Sequence, residues 1–66
     1  MSYTGSDLRA ARIAADITQT ELAEILGVSL RTVARIEAAE DEPIEAPGRS
    51  RAVSGGIVRW LREATS

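Results

Sequence analysis

Apolar residues recur along this chain at intervals of three and four, interrupted by short polar segments with turn chemistry. Leu8, Ala11, Arg12 and Ala15 share one side of a helix. Ser6 is a good cap for it and Asp7 suits its first turn, so the spacing predicts a helix over 7–16. Met1 to Gly5 carry no periodicity and are expected to fray. Thr18-Gln19-Thr20-Glu21 then has the form of a capping box, in which hydroxyl and carboxylate each take a backbone amide of the other residue. Ile17, just ahead of it, is set to staple against Leu22. The second helix is expected over 19–26, with Leu22, Ala23 and Leu26 inward and Gly27 as its stop. Ser29 caps a third helix over 30–38, buried along Val33 and Ile36. Two short helices joined across Gly27-Val28-Ser29 cannot lie antiparallel with long contacts; they must cross steeply, as in a helix-turn-helix.

The pattern stops at Glu40. From there to Gly48 the chain has two prolines, a glycine and four acids, and reads as a loop with Ile44 tucked toward the core. A last apolar stripe, Val53, Ile57, Leu61 and Ala64, flanked by Val58 and Trp60, predicts helix over 49–64. Gly55-Gly56 falls inside it, and each glycine costs about 1 kcal/mol relative to alanine in a helix interior. Whether this stretch is one helix or two stays open at this level. The expected fold is all-α, a small four- or five-helix bundle containing a helix-turn-helix. It forms a single domain over 1–66, with a helix-turn-helix core at 18–38, an acidic loop at 40–48 and a basic helical segment at 49–64.

Composition narrows the chemistry. The 66 residues include no Cys and no His, which excludes disulfides and ordinary zinc sites. The 44% hydrophobic fraction includes eleven alanines, enough for a small helical core and not for a substrate cavity. No phosphate-cradling glycine motif is present and the carboxylates are scattered, so neither an enzyme nor a cofactor is expected. Nor is a membrane span or secretory signal, which makes the cytoplasm the expected location. The net charge of -2 argues weakly against nucleic acid, but its distribution matters more. All eight basic residues are Arg, and four of them lie at Arg49, Arg51, Arg59 and Arg62, beyond the acidic stretch.

Residues 8–37, LRAARIAADITQTELAEILGVSLRTVARIE, resemble the Cro/C1-type (XRE-like) helix-turn-helix domains, among them the small phage Cro-like repressors. The resemblance rests on Thr18-Gln19, Leu22-Ala23, Gly27-Val28-Ser29, Val33 and Ile36-Glu37; the last third of the chain does not match closely. It implies a lambda-repressor-like fold and a homodimer on double-stranded operator DNA with an inverted repeat, usually a repressor, in a bacterial or phage-infected cell. It places the third helix in the major groove with Leu30, Arg31 and Arg35 at base-contacting positions. Many relatives carry a polar residue where Leu30 stands. Gln19 matches a phosphate clamp, to which Thr18 and Thr32 would add hydroxyls, and Arg49 and Arg51 match positions near the phosphate backbone. Arg12 and Glu37 match a half-buried structural ion pair. Ala38 falls where relatives often carry a further phosphate contact, and the acidic loop is expected to point away from DNA. Trp60, with Val58 and Leu61, is read either as a dimer patch or as core. The rival class is a protein-interaction module on the same fold, such as an antitoxin or anti-repressor.

Overall fold

A computed structural model describes residues 3–45 and 50–66. These residues form four helices: α1 (Gly5–Ala14), α2 (Gln19–Leu26), α3 (Leu30–Ala38) and α4 (Arg51–Thr65). Helix α3 packs on α1 and α2, and α4 packs on the same two helices. The core they share is Leu8, Ala11, Leu22, Ala23, Val33, Ile36, Ile44, Ile57, Val58 and Leu61.

Local chemistry sets the helix ends. Helix α2 begins at the expected box: the Glu21 amide donates to Thr18 Oγ1 at 3.1 Å and the Thr18 amide to Glu21 Oε1 at 2.9 Å. It ends at Gly27, whose φ of 69° lies in the left-handed region that glycine enters at no steric cost. Helix α3 starts where Ser29 Oγ accepts from the Thr32 amide at 3.1 Å. Helix α1, by contrast, spans 5–14 and not 7–16, and its cap is Thr4, not Ser6. The reason is a second capping box, Thr4 with Asp7, which satisfies two backbone donors where Ser6 would satisfy one. The helix stops because Asp16 turns to φ 58°, a conformation Asp tolerates better than most residues.

Of Met1 to Gly5, expected to fray, Met1 and Ser2 lie outside the described residues, and residues 3–5 are tied down. The Ile44 amide donates to the Tyr3 carbonyl at 2.9 Å, and the amides of Gly5 and Ser6 donate to the carbonyls of Glu42 and Glu40. Thr4 and Pro43 form an isolated antiparallel bridge. These bonds take up free donors at the start of α1 and fasten the described part of the acidic segment to it. Ile44 is completely buried. Gly5 is buried too, because the start of α1 lies against the backbone at the end of α3: a Cβ there would run into the Ile36 carbonyl and come within 2.8 Å of the Ala39 carbonyl oxygen.

Helix α4 is continuous through Gly55-Gly56 and is capped by Ser50, which accepts from the Val53 amide at 3.1 Å. Its buried face is Ser54, Ile57, Val58 and Leu61, so the expected stripe is rotated: Val53 is half-buried and Ala64 exposed. Ser54 turns inward because its hydroxyl donates to the Ile44 carbonyl at 3.2 Å, tying α4 to the acidic segment. The same rotation corrects the dimer-patch reading. Val58 is 8% exposed and Leu61 fully buried, so neither can form a surface patch, and Trp60 is half-buried against the core.

Candidate nucleic-acid interface

The turn at Gly27-Val28-Ser29 brings the start of α3 beside the start of α2. Arg12, Ile17, Thr18, Gln19, Thr20 and Leu30 line one shallow open depression, so the two helix N-termini share a surface. On α3, Arg31 and Arg35 stand one turn apart on the exposed side, and neither forms an ion pair with a described residue. Leu30 is 47% exposed, as are Ile13 and Ile25 to a still greater degree, at 58% and 57%. Ala34 and Ala38 follow Leu30 along the helix, so a stripe of small apolar residues runs beside the two arginines.

Beneath this surface lies a polar network. Arg12 Nε donates to Glu37 Oε2 at 2.8 Å and Arg12 Nη2 to Glu37 Oε1 at 3.1 Å, a two-pronged pair between α1 and α3. Arg12 Nη1 donates to the Ile17 carbonyl at 2.9 Å, holding the α1–α2 turn. The Glu37 side chain is 4% exposed and the Arg12 side chain 16%. The hydrogen bonding to Glu37 raises the Arg12 pKa above its ordinary value; burial opposes this, and the attraction of the opposite charge adds to it.

Gln19 joins the same network, its Nε2 donating to Glu37 Oε1 at 3.1 Å. One of its amide protons is therefore engaged within the protein, and the other remains for an outside acceptor. The Thr18 hydroxyl accepts from the Glu21 amide and keeps its own proton. Thr32 is half-buried, its hydroxyl 2.9 Å from that of Ser29. Arg51 is exposed in the first turn of α4, where it lines a surface hollow with Glu45 and Ser54. Arg49 lies outside the described residues. The Glu40 carboxylate reaches Arg9 only at 4.0 Å, between two exposed side chains, which contributes little. Glu40 to Glu42 follow the C-terminal end of α3, about 12 Å along the helix from Leu30.

Two of these bonds have no signal in the sequence. The Gln19–Glu37 bond joins residues 18 apart, and no local spacing announces it. Ser54 gives no signal either, since an isolated serine in a helix commonly faces water.

Two capped helices cross a glycine turn, with arginines on the exposed side of the second that pair with no described acid, and this arrangement is a helix-turn-helix. A helix-turn-helix family model matches residues 8–43, more than half of the chain, and the chain belongs to that family. No curated protein and no solved structure matches it significantly. The family assignment makes the chain a non-enzymatic DNA-binding protein of regulatory type. Among the described residues no group of His, Cys, Asp and Glu could hold a metal, and no helix is long and apolar enough to cross a membrane.

Proposed function

We propose that this protein is a sequence-specific transcriptional regulator of the Cro/C1 type, a repressor, that sets α3 into the major groove of double-stranded DNA. The observation that carries the reading is the exposed Arg31–Arg35 pair on α3, free of acidic partners among the described residues and on the helix that follows the glycine turn. Arginine bonds both O6 and N7 of guanine, the commonest specific contact in that groove. Leu30, Arg31 and Arg35 meet bases. Gln19 and Thr18, at the first turn of α2, take a phosphate where free amides and the helix dipole favour an anion. Thr32, Arg49 and Arg51 add phosphate contacts. Two copies bind an inverted repeat whose half-sites lie about one helical turn apart.

The test is a titration of Arg31→Ala, Arg35→Ala and Arg51→Ala against a selected operator and a scrambled duplex at several salt concentrations. Each of the first two should cost about 1–3 kcal/mol on the operator and relax preference at one position. Arg51→Ala should weaken both duplexes alike and lower the salt slope by about 0.9 for each phosphate the protein no longer neutralises. Equal losses on both duplexes for Arg31→Ala and Arg35→Ala would show that α3 does not read sequence through them. A wild type that cannot tell the duplexes apart at any salt would leave the protein-interaction module as the better reading.

A further inference from the structure

Leu30 is the first residue of α3, and its side chain is 47% exposed on the surface shared with the start of α2. It neighbours Arg31 in sequence and Ala34 one turn on, so an apolar edge runs along the helix next to the arginine edge. A leucine there offers no hydrogen bond to water, phosphate or base. The thymine C5-methyl is an apolar group presented in the major groove, and small side chains at Ala34 and Ala38 let the helix approach closely enough to cover it. We propose that Leu30 is a specificity-determining residue that selects thymine by packing on its methyl group, while Arg31 and Arg35 read by hydrogen bonding. This rests on the DNA-binding reading above and extends it to a residue that hydrogen-bond readout leaves without a role.

Replacing thymine by deoxyuridine removes the methyl and leaves every base-pair hydrogen bond intact. In an operator selected from random duplexes, each thymine is replaced singly and the wild type titrated at fixed salt. Affinity should fall about 4-fold, the worth of one buried methyl-sized group, at one thymine within the site covered by each bound molecule. Leu30→Ala should shrink the difference between the thymine and uracil duplexes, because the shorter side chain covers less of the methyl, with only a small loss of thermal stability because the leucine is 47% exposed. Where a selected site carries cytosine at that position, 5-methylcytosine should strengthen wild-type binding more than that of Leu30→Ala. The proposal is overturned if no single deoxyuridine weakens the wild type, or if the same thymine is as sensitive in Leu30→Ala as in the wild type. The first outcome needs no variant, so it stands even if Leu30→Ala misfolds. A wild type that binds the operator specifically but ignores the methyl removes only this inference; one that selects no sequence removes the DNA-reading proposal as well.

Discussion

Gly5 shows how far one residue can constrain this fold. It is the first residue of α1, and no positive φ requires a glycine there; the constraint is contact. The end of α3 comes so close that any Cβ would meet the Ile36 carbonyl, and a backbone carbonyl cannot move aside as a side-chain tip can. Gly5→Ala should therefore destabilise the domain by about 1–3 kcal/mol or more, checked by chemical denaturation. A loss below about 0.5 kcal/mol would mean that the α1–α3 junction opens at little cost. Nothing in the residues around Gly5 announces this, because the opposing atoms lie about thirty positions away in the chain. Thr4 and Thr18, by contrast, are legible: each cap bonds to a residue three positions on.

Helix α4 poses the opposite case. Its two glycines lower helix propensity, yet an added Cβ at Gly55 or Gly56 would meet nothing within 4 Å. The helix persists because Ser54, Ile57, Val58 and Leu61 are buried on its other side, and burial outweighs propensity in a short helix. Gly55→Ala and Gly56→Ala should each stabilise the domain by up to about 1 kcal/mol, read as a rise in Tm. DNA affinity should not change, since neither residue belongs to the proposed interface. A fall in Tm would show that this open side of α4 is covered. The register of α4 is only partly readable in the sequence. The apolar spacing places Ile57 and Leu61 correctly, but Ser54 buries in preference to Val53 because the Ile44 carbonyl lies within reach of its hydroxyl.

At the scale of the whole molecule, the Arg12–Glu37 pair joins two helices and carries Gln19 with it. Arg12→Ala should cost about 3–5 kcal/mol, because Glu37 would be left buried and charged without its partner. Arg12→Lys should recover only part of that, since an ammonium cannot make the two-pronged contact. A double-mutant cycle with Glu37→Ala should give a clear coupling energy, and a value near zero would show that the pair contributes nothing in solution. The pH dependence follows from the raised Arg12 pKa. That stabilisation is complete below the unfolded value and fades only as pH climbs through the still higher folded value, so Arg12 should add no pH dependence between about pH 6 and 10. Weaker phosphate binding in Arg12→Ala, beyond the loss of stability, would mark Gln19 as dependent on this network for its orientation.

The division between what is readable in the residues and what is not follows the range of the interactions. The all-α class, the starts of α2 and α3, the stop at Gly27 and the inward set Leu8, Leu22, Val33 and Ile36 all rest on bonds or spacings within one or two helical turns, and the residues alone determine them. The exposed arginines of α3 are legible for the same reason: once Val33 and Ile36 face inward, a period of 3.6 turns Arg31 and Arg35 outward. Tertiary structure decides the rest. The entry into α1 is ordered because Tyr3, ahead of the helix, and Gly5, its first residue, find backbone partners beyond α3, across some forty residues. Val58 and Leu61 belong to the core, and not to a partner surface, because α1 and α2 are there to receive them. Gln19 bonds Glu37 only because α2 and α3 fold against each other. Such contacts depend on which distant backbone and side-chain atoms meet, and a one-dimensional pattern of apolar and polar residues carries no record of that meeting.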